Sequence, residues 1–120
     1  MATVTPTRYP DPDSRMIRVG WVGFAASADV GTEVKMPAHR DRSVQVIGTF
    51  TGSLGITIEG SNDGGTTWTA LTDPQGNSIV KTAAALEAIT EFVGLIRPRA
   101  TAGSGGAAVD VYICFGGNYL

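Results

Sequence analysis

The sequence predicts an all-β protein: an antiparallel β-sandwich of jelly-roll-like character, carrying an extended N-terminal arm. Three observations lead there. Sixteen glycines and six prolines stand among 120 residues. Gly supplies positive φ at tight turns and Pro stops helices, so the chain is cut into many short elements. Period-2 alternation of apolar and polar residues recurs, the pattern of strands with one buried face. Clusters of turn-forming residues separate these runs at short intervals. A chain of this length supports one domain and one core, and its 42% of hydrophobic residues marks it as globular. The reading divides it into an arm over residues 1–14 and a single sandwich domain over residues 15–120.

The arm is expected because Pro6, Pro10 and Pro12 block regular helix and bias the residues before them to extended backbone. Its candidate partner-contacting residues are Thr5, Pro6, Arg8, Tyr9 and Pro10, which would order over a neighbouring subunit. A disordered tail is the alternative. Residues 15–26 turn apolar through Met16, Ile17, Val19, Trp21, Val22 and Phe24, fitting one or two strands with Gly20 and Gly23 at bends or bulges. Residues 27–31 read as a turn and 32–36 as a short strand ended by Pro37. Residues 38–42, with His39, Arg40, Asp41 and Arg42, read as an exposed loop.

The alternation is clearest next. Over residues 43–51, Val44, Val46, Gly48 and Phe50 share a face, and over 54–59 so do Leu54, Ile56 and Ile58. Thr51-Gly52-Ser53 between them has the length of a hairpin connection. Residues 60–65 are dense in turn formers, and strand pattern resumes over 66–72. Asp73-Pro74-Gln75-Gly76-Asn77 is a second turn, followed by a short strand over 78–81. Residues 82–88, rich in Ala, Leu and Glu, are too short for a free-standing helix and read as a helical turn or loop. Residues 89–101 read as a strand in which Pro98 marks an edge or a bulge. After a flexible turn over 102–106, the last strand covers 107–115. It sends Val109, Val111, Ile113 and Phe115 one way and Ala108, Asp110, Tyr112 and Cys114 the other. Residues 116–120 remain as a short tail. The sum is about seven to nine strands.

Composition excludes several functions. Net charge is −2 and the pI is about 5.2, so there is no excess of Lys and Arg to track a phosphate backbone, and nucleic acid is not an expected partner. No apolar run approaches the ~20 residues of a membrane span, and no basic-then-apolar leader is present. The expected site is the cytoplasm, or a particle assembled there. Charged residues are 17%, below the ~25% of an ordinary domain. That leaves two readings: a plain polar β surface, or a surface covered by partners in an assembly.

No catalytic set, metal site or cofactor motif is legible. His39 and Cys114 are the only members of their types. Cys114 lies in an apolar strand, where an inert buried thiol is expected. Two such ligands could not complete a zinc site without carboxylates. Glu59, Glu87 and Glu91 carry no spacing that pairs them for glycoside hydrolysis. Gly103-Ser104-Gly105-Gly106 lies between strands and lacks the helix N-terminus that phosphate binding uses. Arg97 and Arg99 flank Pro98 on one strand face and are candidates for inter-subunit ion pairs, or else a solvated edge.

One motif stands out. In Ser61-Asn62-Asp63-Gly64-Gly65-Thr66-Thr67-Trp68, an Asp side chain can accept N–H bonds from its own turn, Gly65 can take positive φ, and Trp68 can cover the hairpin base. The candidate structural-hairpin residues are Ser61, Asp63, Gly65, Thr67 and Trp68. The run resembles the Asp-box, S-x-D-x-G-x-T-W, which sialidases repeat on propeller blades away from the catalytic centre. A single copy in a chain too short for a propeller implies a structural turn.

A wider resemblance is carried by Gly60 to Trp68, by Leu71-Thr72-Asp73-Pro74-Gln75-Gly76-Asn77, by Ile96-Arg97-Pro98-Arg99 and by Val109-Asp110-Val111-Tyr112-Ile113. Together they resemble small bacteriophage head proteins of the capsid decoration (cement) type. The resemblance implies a non-enzymatic virion protein, on the capsid surface and made in the host cytoplasm. Its partners would be the major capsid protein and itself, as a homotrimer. A tail or head-fibre component is the first alternative. A carbohydrate-binding sandwich using Trp21, Trp68 and Tyr112 is the second.

Overall fold

The computed structural model describes residues 2–11, 16–37 and 39–119. Expectations placed on Met1, residues 12–15, Ala38 and Leu120 lie outside these. Among the described residues there are twelve strands and no helix. In chain order they are β1 (Thr3–Val4), β2 (Pro6–Asp11), β3 (Met16–Phe24), β4 (Val30–Gly31), β5 (Val34–Lys35) and β6 (His39–Thr49). The second half holds β7 (Gly55–Ser61), β8 (Thr69–Ala70), β9 (Val80–Lys81), β10 (Ala85–Ala88), β11 (Leu95–Ala102) and β12 (Ala108–Tyr119).

Two sheets result. One runs β10-β6-β12-β3-β2; the other runs β1-β4-β11-β7-β8, with β5 added on β11 and β9 on β7. The antiparallel pairings are nested: β3 with β12, β4 with β11, β6 with β10, β7 with β8. A chain that pairs first with last and so on inward, while its strands fall into two sheets, is a rolled ribbon. The order β10-β6-β12-β3 facing β4-β11-β7-β8 is that of an eight-stranded jelly roll.

Alternation builds the core between the sheets. Val109, Val111, Ile113 and Phe115 of β12 are buried, as are Val44 and Val46 of β6, Ile56 and Ile58 of β7, and Val19, Trp21 and Phe24 of β3. Each such side chain contributes about 1.5–3 kcal/mol of transfer free energy. Trp21 is fully buried and donates its Nε1–H to the carbonyl of Thr32 at 2.9 Å, so its one polar atom is satisfied.

Several sequence expectations are corrected. Residues 82–88 hold no helical turn: β10 is an edge strand on β6, because pairing and packing outweigh the helix propensity of four residues. Residues 39–42 are strand rather than loop, since β12 continues past residue 115 and offers them a ladder, Arg42 facing Phe115 and Asp41 facing Gly116. Residues 116–119 belong to that strand and are not a tail. Thr51-Gly52-Ser53 is no hairpin. It is the corner where the chain leaves one sheet for the other, with Gly52 and Ser53 both at φ 62.

Pro98 sits in a central strand, between β7 and the β4/β5 side, rather than at an edge. It is tolerated because the ladder on that side is interrupted. Ile96 faces Val34 of β5 and Arg99 faces Val30 of β4, and nothing pairs with the two residues between.

Residues 3–11 are laid along their own sandwich. β1 pairs parallel with β4, and β2 forms the outer edge beside β3. Asp29 pins the start of this segment, accepting N–H bonds from Ala2 (3.0 Å), Ala25 (2.9 Å) and Ala26 (3.1 Å). Pro6 and Pro10 fall in phase on the edge strand.

Candidate functional site

Two polar clusters lie at one end of the β7–β8 hairpin and along the outer face of the sheet that contains it. The hairpin pairs Glu59 with Ala70 and Gly60 with Thr69, and residues 61–68 form its turn. Asp63 organises this turn. Its Oδ1 accepts the Ser61 hydroxyl at 2.8 Å and the N–H groups of Thr66 and Thr67 at 3.1 and 2.9 Å. Ser61 Oγ in turn accepts the Gly65 N–H at 3.0 Å, and Trp68 Nε1–H donates to the Gly65 carbonyl at 3.0 Å. Gly64 and Gly65 hold φ of 78° and 92°, a region that side chains disfavour and glycine takes freely. The Thr67 N–H, then the Ser61 hydroxyl, hold the Asp63 carboxyl at about 2, well below its ordinary value.

A groove of about 440 Å³ lies beside the turn, lined by residues that include Asn62, Asp63, Thr69, Glu91 and Val93. Its acceptors serve the fold. Asn62 Oδ1 takes the Gly94 N–H at 2.7 Å. Glu91 takes the Thr72 N–H at 2.8 Å and the Thr72 hydroxyl. Burial pushes the Glu91 carboxyl up, but these bonds and the Arg42 charge outweigh it and hold the group down. Asp73 likewise closes its own turn, accepting from Gln75 and Asn77, both at 3.0 Å. Asp63 and Asp73 thus brace their own turns, while Glu91 ties its segment to Thr72.

The second cluster lies on the outer face. Glu59 of β7 alternates with the core residues Ile56 and Ile58 and is nonetheless buried. Its two oxygens accept from Arg97 Nε at 3.1 Å and Arg99 Nε at 2.9 Å. The Arg97 guanidinium stacks on the Trp68 ring, 4.0 Å from its centroid. The sequence offers Arg97 and Arg99 as inter-subunit candidates; within the chain they share this carboxylate. Sequence reasoning missed Glu59 as their partner. The signal available was its outward phase on a neighbouring strand, but the register that sets it opposite Arg97 cannot be read from composition.

The aromatic trio proposed for sugar stacking does not form one surface. Trp21 is in the core, Trp68 lies under Arg97, and Tyr112 is on the other sheet. There, Arg18 reaches over Tyr9 (4.3 Å) and Tyr112 (5.6 Å), tying three strands together. Of the arm candidates, Thr5 precedes β2 and Pro6, Arg8, Tyr9 and Pro10 lie within it. Thr5 and Arg8 are exposed. Cys114 is half-buried on the outer face of the five-stranded sheet. Burial pushes its thiol up, with Arg18 pulling weakly the other way, so the reactive thiolate is disfavoured. His39 is placed on β6 opposite Tyr119, four residues from Ser43, the residue that faces Cys114. Among the described residues, no three His, Cys, Asp or Glu side chains are placed to hold a metal.

The fold and the site thus define a jelly roll with a carboxylate-braced hairpin. No family model and no curated protein matches the sequence. Among solved structures, the chain is similar in fold to the SPBc2 prophage-derived protein YomS, with a TM-score of 0.50 and 16% identity over 82% of this chain and 94% of that one. It also aligns with a chain of the disulfide-linked pili of Bacillus endospore appendages, at TM-score 0.40 and 14% identity over 96% and 91% of the two chains. A third alignment is with recombinant oxalate oxidase, at TM-score 0.43 and 19% identity over 96% of this chain and 52% of that enzyme. The chain therefore spans about half of the enzyme's length. At scores below 0.5 these last two carry no weight for fold or function.

Proposed function

We propose that the chain is a non-enzymatic structural protein of a bacteriophage particle, a decoration protein that binds the outside of the capsid and stabilises contacts between major capsid protein subunits. The observation that carries this reading is the jelly-roll fold shared, over most of both chains, with a prophage-derived protein. The groove supports it, because its carboxylates, Asp63 and Glu91, are engaged in holding loops rather than poised for chemistry. A ligand that binds only the assembled shell stabilises it by its own binding free energy, and many copies multiply a modest contribution per site. Self-association as a homotrimer on symmetry axes belongs to the same proposal, with β2 and its flanking Thr5 as the contact arm.

The test is to mix the purified chain with expanded and unexpanded heads of the phage that encodes it, then to count copies by cryo-electron microscopy. Hundreds of copies on capsid symmetry axes are expected. A handful at one vertex or on the tail would make it a tail or head-fibre component. No association with mature heads would sink the reading. Sedimentation equilibrium tests the trimer separately.

A further inference from the structure

The cluster on β11 has more donors than its own fold uses. Arg97 and Arg99 are two residues apart, so both guanidiniums rise from the same face, their backbones about 7 Å apart. Each gives only its Nε to Glu59. No other hydrogen bond or ion pair to either guanidinium comes from the described residues, and neither has a terminal nitrogen buried without a partner. The side chains keep 19% and 36% of their accessibility, whereas Glu59 keeps 8%. Two cations therefore share one buried anion and leave a net positive charge facing solvent. One arginine would neutralise Glu59; the second is in excess.

We propose that Arg97 and Arg99 bind a carboxylate side chain in an acidic segment of a partner protein. The terminal nitrogens of each guanidinium carry no bond from the described residues and are not sealed from solvent, and an Nη1–Nη2 edge matches a carboxylate in bidentate fashion. The geometry is set in advance. Glu59 fixes both Nε atoms and Trp68 holds the Arg97 plane, so little side-chain freedom remains to be lost on binding. A polyphosphate is the poorer fit, because a chain of net charge −2 repels a long polyanion while a local excess of one charge suffices for one acidic group. This deepens the shell-binding reading and rests on it only for who the partner is.

The experiment is a fluorescence titration of the isolated full chain with glutarate, with inorganic phosphate and with sodium chloride at matched ionic strength. Trp68 reports on Arg97, while Trp21 is sealed in the core. A saturable change with glutarate that chloride does not reproduce is expected, weaker with phosphate. In Arg99→Lys, which keeps the charge and loses the fork, affinity for glutarate should fall about tenfold, with circular dichroism confirming the fold. Identical glutarate and chloride curves in the parent chain would overturn the site, whatever the variant does. Unchanged affinity in folded Arg99→Lys would overturn it too. Tighter binding of phosphate than of glutarate would overturn the choice of carboxylate. No capsid enters the titration, so its failure is distinct from a failure to bind heads.

Discussion

A single carboxylate can set a whole turn, and Asp63 makes the case. Its folded value of about 2 lies below the ordinary 3.8, so the stability it adds is complete above about pH 4 and disappears as the pH falls through about 2. Asp63→Asn keeps an acceptor but loses the charge. Its melting temperature should lie a few degrees below the parent's at neutral pH, and the gap should close between about pH 4 and pH 2. Melts that stay parallel across this range would refute the assignment. Glu59 poses the opposite case, one anion under two cations. Glu59→Gln leaves both guanidiniums without their counter-charge and should cost about 1–3 kcal/mol in urea unfolding. That is less than for a fully buried pair, because Arg99 is partly wet. The Asp63 turn was legible in the sequence because every partner lies within eight consecutive residues. The Glu59 cluster was not, since its members are about forty residues apart and meet only through strand register.

Elements show the same division. Alternation placed the inward and outward faces of β12 correctly, and Val44 and Val46 on the buried face of β6. Partnership was invisible to it. The corner at residues 51–53 looks like a hairpin because the same turn residues serve both, and only the choice of neighbour tells them apart. Residues 82–88 read as a helical turn or loop because nothing nearby in the sequence shows the partner, β6, that makes β10 a strand. Gly48 marks where such a partner presses closest. It holds φ 122, and a Cβ there would stand 2.2 Å from the Ala108 carbonyl oxygen. Gly48→Ala should therefore cost about 2–4 kcal/mol. Gly64, at φ 78 with open space around it, should cost about 1 kcal/mol as Gly64→Ala. Equal losses in chemical denaturation would show that contact at Gly48 adds nothing to backbone strain.

At the scale of the molecule, the nested pairing joins early chain to late. β12 is central in its sheet, flanked by β3 and β6, and supplies the buried Val109, Val111, Ile113 and Phe115. A chain cut after Gly106 should lack a fixed structure, seen as collapsed amide dispersion in NMR spectra, while the full chain folds on the millisecond-to-second scale of non-local β topologies. A dispersed spectrum from the cut chain would mean that the remaining sheet stands alone. The closed ribbon still has rims, and β2 is one of them. A bare rim is a template on which another chain can add a strand, and copy can follow copy into a fibre. Pro6 and Pro10, in phase on this edge strand, have no N–H to give to such a ladder. Wherever many copies are crowded together, this blunts the β2 rim against an added strand, and leaves side chains to choose what meets it there.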